Sequence, residues 1–140
     1  MDYKKIGLLG GRGYVGQEII ELLTNHKFLN ISSVFSSSKA GQPLHLSSGN
    51  DLLYQDLSTD KIDFSDEDAF ILALPNNKSQ DYIDLIDRHN PQAIIIDLSS
   101  DHRFDDAWQY RVPELSGKVQ SVKISNPGCY ASAMQFMLAP

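Results

Sequence analysis

The sequence predicts an α/β domain built on a doubly wound, mostly parallel sheet. Short apolar runs alternate with segments whose apolar residues recur at helical spacing. The runs are continuous, as in strands covered on both faces. Glycines and prolines punctuate the transitions. The 140 residues suffice for one domain with its own core, so a single domain over residues 1–140 is expected.

Each element has its own signal. Tyr3 to Leu9 is an apolar run closed by glycines and predicts the first strand, while Val15, Ile19, Leu22 and Leu23 define a helix ending near Asn25. Leu29 to Phe35 predicts a second strand that runs into Ser36, Ser37 and Ser38, completing a βαβ unit. Ser36 to Asn50 is polar and carries no predicted element, and Leu52 to Leu57 reads as a minor strand. Ala69 to Leu74, stopped by Pro75, opens a second unit. Asn77 or Ser79 caps its helix, whose stripe is Tyr82, Ile83, Leu85 and Ile86 and whose end is His89, Asn90 and Pro91. A strand over Ala93 to Asp97 follows, then a loop from Leu98 to Gly117 and a strand over Val122 to Ser125. A turn at Asn126 to Gly128 and an apolar helix over Tyr130 to Leu138 complete the series. No repeat, low-complexity tract or interior linker divides it.

Twelve basic against eighteen acidic residues give a net charge of −6 without charged blocks, so nucleic acid and anionic membrane are poor partners. The two lysines and short apolar run at the start end in glycines, which argues against an export signal, and no run is long enough to span a bilayer. The single cysteine, Cys129, excludes an internal disulfide and reads as cytoplasmic; its thiol is structural, idle or reactive.

Gly10, Gly13 and Gly16 stand at GxxGxxG spacing between a strand and a helix. In that context they supply a tight turn, backbone approach to a pyrophosphate and close helix packing, the signature of a Rossmann-like dinucleotide site. Gly11, Arg12, Tyr14 and Val15 belong to the same turn, and backbone N–H groups at the helix start meet the phosphate charge. Elsewhere such glycines are ordinary turn residues. An enzyme using NAD usually carries a carboxylate after the second strand, yet no Asp or Glu lies between Glu21 and Asp51. Ser36, Ser37, Ser38 and Lys39 stand there instead, with Arg12 nearby, so NADP(H) is the expected cofactor; otherwise Lys39 and Arg12 are solvated charges.

Cys129 opens a helix directly after a predicted buried strand, at the edge of a parallel sheet where ligands bind. Unpaired N–H groups at a helix start favour negative charge on a thiol there, which suits a nucleophile. A lone cysteine in an apolar stretch is otherwise a buried, inert residue.

The segments GGRGYVGQE, FSSSKAG, LALPNNKS, IIDLSSDHRF, YRVPEL and above all SNPGCYASA resemble N-acetyl-gamma-glutamyl-phosphate reductases, in order and along essentially the whole chain. The resemblance implies that Cys129 attacks an acyl phosphate and that NADPH reduces the resulting thioester to a semialdehyde in arginine biosynthesis. It places Leu74, Pro75 and Asn76 along the cofactor cleft. By analogy with related semialdehyde dehydrogenases, Arg103 holds the substrate phosphate, with Asn126 and Ser99 as further substrate residues. The bland alternative for Arg103 is a surface ion pair with Asp101, Asp105 or Asp106.

Two departures from the family pattern matter. The loop after the second strand is shorter, so Lys39 stands in for an arginine, and His102 occupies a position where the family usually has an aromatic residue. His102 therefore reads as a substitution, not as a catalytic base, while His26, His45 and His89 read as solvated. The family also has a second half with a dimerising sheet and a catalytic histidine, which this chain would need as a partner; full-length members are homo-oligomeric. Alternatives are a related reductase of the lysine or aspartate pathway, or a catalytically idle nucleotide-binding module. No His, Cys and carboxylate spacing suggests a metal site.

Overall fold

In the computed structural model, which describes residues 3–49, 51–58 and 62–139, eight strands form one sheet in the order β3-β4-β2-β1-β5-β6-β8-β7. The strands are β1 (Lys4–Leu9), β2 (Leu29–Phe35), β3 (Pro43–Leu44), β4 (Leu52–Gln55), β5 (Ala69–Leu72), β6 (Ile94–Asp97), β7 (Gln109–Tyr110) and β8 (Lys123–Ser125). Helices α1 (Tyr14–Thr24), α2 (Gln80–His89) and α3 (Cys129–Leu138) lie between and after them. All pairings are parallel except β3 with β4. The expected doubly wound sheet is therefore present, and its order reverses between β1 and β5. A strand leaving β1 on either side turns back over a different face, which opens a crevice at that point.

The central strands are continuous apolar runs because both of their faces are covered. Leu8, Val34 and Tyr54 join one buried cluster with Ile20 of α1, while their neighbours Leu9 and Phe35 join the other with Phe70, Leu72, Ile83 and Ile86. Successive side chains of a strand alternate between faces, so adjacent residues feed two cores. Ile83, Leu85 and Ile86 are the buried stripe of α2, as its periodicity predicts. By contrast α3 buries none of its residues, and Tyr130, Met134, Phe136, Met137 and Leu138 are exposed.

The structure adds two short strands to the sequence reading. β3 lies in the stretch that carried no predicted element, and β7 interrupts the predicted loop from Leu98 to Gly117. Each has two residues and sits at a sheet edge, too short for any periodicity to register. Ser79 is the N-cap of α2, but its hydroxyl does not cap the helix; it donates to Asp101. Because β1, β2, β5, β6 and β8 run the same way, the loops after all five open on one edge of the sheet. That edge gathers nearly every residue singled out by the sequence.

Candidate functional site

The turn after β1 packs against neighbouring strands so tightly that only glycine fits at its key points. Gly10 has a φ of 85°, and a Cβ there would collide with the carbonyl of Ala73. A Cβ on Gly16 would strike the carbonyl of Gly10, so α1 rests directly on the turn. Gly13 differs: an added Cβ would meet only the Gly10 carbonyl, at 3.6 Å, so packing within the domain does not require glycine there. No side chain caps α1.

This turn borders a cavity of about 490 Å³ at the β1/β5 crevice. Gly10, Arg12, Gly13, Tyr14, Val15 and Gly16 line one wall. Ser36, Ser37 and Ser38 after β2 line another, and Leu74 and Pro75 after β5 a third. Leu57 and Ala73 also line it, and the sequence marked them only as strand residues. Leu57 follows the short strand β4 in the stretch with the weakest local signal. Ala73 extends the continuous apolar run of β5, and that run was its only available signal. A second cavity of about 430 Å³ shares Ser37, Leu57, Leu74 and Pro75 and continues past Lys78 and Tyr82.

Three of the expected cofactor residues stand apart from the lining. Gly11 is buried beneath Val34. Lys39 places its ammonium 5.4 Å from the ring centre of Tyr54, a cation–π contact that draws it off the cavity wall. Asn76 uses its carboxamide oxygen to accept the Ser100 N–H at 3.0 Å. Arg12 remains at the cavity, where its guanidinium donates to the Ser38 hydroxyl at 2.7 Å. Cationic guanidinium and hydroxyl thus share one rim, a donor set that fits a phosphate.

The second group of residues lies after β6 and β8. Cys129 is exposed and is the first residue of α3. Its neighbour Gly128 caps the helix in extended conformation without a side-chain cap. A Cβ on Gly128 would stand 2.9 Å from Nη1 of Arg103, so that guanidinium lies directly against the turn. Arg103 donates from Nε to the Asn126 carbonyl at 3.1 Å and from Nη2 to the Leu98 carbonyl at 3.2 Å. Among the described residues no carboxylate pairs with it, and the surface ion pair weighed as its alternative does not form. An uncompensated, half-buried cation beside an exposed thiol can hold an anionic group while the thiol reacts.

Asn126 shapes the turn: its amide donates to the Pro127 carbonyl at 2.9 Å, and its N–H to the Asp97 carbonyl at 2.9 Å. Ser99 faces inward, its hydroxyl donating at 2.7 Å to the fully buried carboxylate of Asp97. His102 meets the same carboxylate at 2.7 Å through Nδ1 and stacks on Trp108 with 4.3 Å between ring centres. Its ring is buried, held between the Asp97 carboxylate and the Trp108 indole. His26, His45 and His89 are exposed, each with a local contact: to the Phe28 and Leu29 N–H groups, to Asp51, and to the Phe64 N–H respectively.

A doubly wound sheet with a glycine-built cavity at its switch point defines a dinucleotide-binding class of domain, here with an exposed thiol farther along the same edge. Residues 5–121 match the family described as semialdehyde dehydrogenase, NAD binding domain, and the chain belongs to that family. The matched residues include the cavity and Arg103 and end before the cysteine turn. Over 98% of its length the chain is 44% identical to an N-acetyl-gamma-glutamyl-phosphate reductase of Xanthomonas axonopodis, spanning 45% of that protein. Over 99% it is 42% identical to a Candida albicans protein named Protein ARG5,6, mitochondrial, spanning 17% of it. Among solved structures, aspartate semialdehyde dehydrogenase II of Vibrio cholerae superposes with a TM-score of 0.84 over 98% of this chain and 45% of its own, at 19% identity. That likeness is one of fold. The chain spans less than half the length of these relatives.

Proposed function

We propose that the chain supplies the cofactor cleft and the nucleophile for NADPH-dependent reduction of N-acetyl-gamma-glutamyl phosphate to N-acetylglutamate 5-semialdehyde and phosphate, a step of arginine biosynthesis. The observation that carries this reading is Arg103 lying against Gly128 with no carboxylate partner among the described residues, beside the exposed Cys129. The sulfur of Cys129 attacks the acyl carbon, the bond from that carbon to the phosphate oxygen breaks, and Arg103 holds the departing phosphate. Bound NADPH supplies the hydride that converts the thioester carbonyl. Collapse of the sulfur–carbon bond then returns the thiolate and frees the aldehyde, and a histidine of the family's second half handles the protons.

Gly10, Gly13, Gly16, Ser36, Ser37, Leu74 and Pro75 fit the dinucleotide, and Arg12 with Ser38 fits a 2′-phosphate. On this reading the chain, which spans 45% of the Xanthomonas relative, works together with a second half, as one polypeptide or two, in a homo-oligomer. The reading places that assembly in the cytoplasm; among the described residues no helix is long and apolar enough to cross a membrane. The test is reduction of N-acetyl-gamma-glutamyl phosphate by the chain combined with a second-half polypeptide. NADPH should be preferred over NADH, aspartyl phosphate should be a poor substrate, and Cys129→Ser should abolish turnover. Equal use of aspartyl phosphate, or activity that survives Cys129→Ser, would overturn the assignment.

A further inference from the structure

Between the cofactor cavity and the cysteine turn lie the loops 73–79 and 98–103, and hydrogen bonds join them side by side. The Ser100 N–H reaches Asn76 at 3.0 Å, and Gln80 meets His102 Nε2 at 3.2 Å. The centre of the seam is Asp101. One of its oxygens accepts both the backbone N–H of Asn77 at 2.7 Å and the hydroxyl of Ser79 at 3.2 Å. Asn77 has a φ of 61°, a left-handed conformation that a non-glycine residue adopts at a cost and keeps only when its surroundings hold it there. Asp101 thus spends its carboxylate on the entrance to α2 and leaves its neighbour Arg103 uncompensated.

Chain and hydrogen bonds together thus link the cavity wall to the turn that carries the thiol. Leu74 and Pro75 line the cavity, Asn77 follows them, Asp101 grips Asn77, and Arg103 stands two residues along against Gly128, next to Cys129. We propose that Asp101 is a positioning residue: nucleotide filling the cavity beside Leu74 and Pro75 sets, through Asp101, how closely Arg103 lies against the Cys129 turn. Asp101 acts through Asn77 and Arg103 on ligands that other residues touch. The proposal rests on the cofactor reading above and adds a link between its two parts.

The experiment measures alkylation of Cys129 by iodoacetamide with and without adenosine 2′,5′-bisphosphate, which fits the glycine turn but has no nicotinamide to shield the thiol. A cation drawn against a thiol favours the reactive thiolate, so saturation should change the rate by about fivefold or more, the scale of a modest coupling between sites. Asp101→Ala should bind the nucleotide nearly as well, by calorimetry, and lose the rate change. Asp101→Asn, which retains an acceptor oxygen, should keep part of it. Ser79→Ala removes only one of the two contacts and should show an intermediate response, which decides the matter if Asp101→Ala fails to fold. Full response in the Asp101 and Ser79 variants, or none in the unaltered chain despite measured binding, would overturn the positioning role. Failure of the nucleotide to bind at all would instead overturn the cofactor reading, and this proposal with it.

Discussion

At Gly13 the chain enters α1 with φ −63° and ψ 162°, and at Gly128 it enters α3 with φ −70° and ψ 160°. The two turns share a backbone conformation, a glycine cap without a side-chain partner and a place on the same edge of the sheet. They differ in what stands before them. The first opens on a cavity at the start of a helix, where the N-terminus favours negative charge. The second is fronted by the guanidinium of Arg103 and displays a thiol as its first helical residue. One backbone device thus stands in two settings: before an open cavity, and behind the guanidinium of a neighbouring loop.

The largest expected effect tests whether the second turn is complete by itself. On the proposed reading the chain supplies a cleft and a nucleophile, while proton handling falls to a histidine of the second half. Turnover of N-acetyl-gamma-glutamyl phosphate should therefore fall short of the complemented assembly by more than about a hundred- to ten-thousandfold, the usual contribution of a general acid–base group. Loss of substrate positioning adds to the deficit. Comparable rates with and without the second half would remove the need for that histidine.

Substituting the two glycines separates the turns directly. Gly10→Ala combines a positive φ with a collision against main chain that cannot give way, and should cost about 1–3 kcal/mol, measured from denaturant midpoints. Gly128→Ala meets only the far end of the flexible Arg103 side chain, so stability should hardly change. What should change is protection of Cys129 from alkylation by inorganic phosphate, because the guanidinium is pushed aside. Equal stability costs at both positions would mean that the turns are finished alike.

On the cofactor side, Arg12→Ala removes the guanidinium that reaches Ser38 and should weaken NADPH by about tenfold, the scale of one exposed charge-assisted contact, while leaving NADH unchanged. Parallel losses for both cofactors would place the 2′-phosphate elsewhere.

The smallest effect lies at the opposite end of β1 and serves as a control. The Lys4 ammonium and then the Lys5 N–H hold the carboxyl of Asp68 below the usual carboxylate range. A lowered folded-state value means stability that is present above the unfolded value and lost as pH falls through the folded one. Asp68→Asn should make the acid side of the stability profile slightly shallower and leave both turns unaffected. An unchanged acid limb would deny Asp68 any share in acid stability.

Apart from Leu57, the cavity was legible because its residues come from the segments that follow three readable strands, and because the glycine spacing reports a local backbone shape. The contact made by Lys39 was hidden for the opposite reason. Its position depends on Tyr54, fifteen residues away on a strand that the sequence only weakly marks. The role of Asp101 was equally hidden, since its partners Asn77 and Ser79 belong to a different loop. Ser99 looked like a substrate residue in its motif, yet burial turned its hydroxyl toward Asp97. Local patterns report turns and strands well, but whether a polar side chain faces a cleft or a neighbour is decided by which loops the topology brings together.

Helix α3 has a thermal consequence. Tyr130, Met134, Met137 and Leu138 each expose more than half of their surface, so any assembly that covers this helix gains chiefly by releasing water from apolar groups. That driving force is mostly entropic near room temperature and weakens on cooling. A complex held together through α3 should loosen in the cold and tighten on gentle warming, opposite to one held by the hydrogen bonds around Arg103.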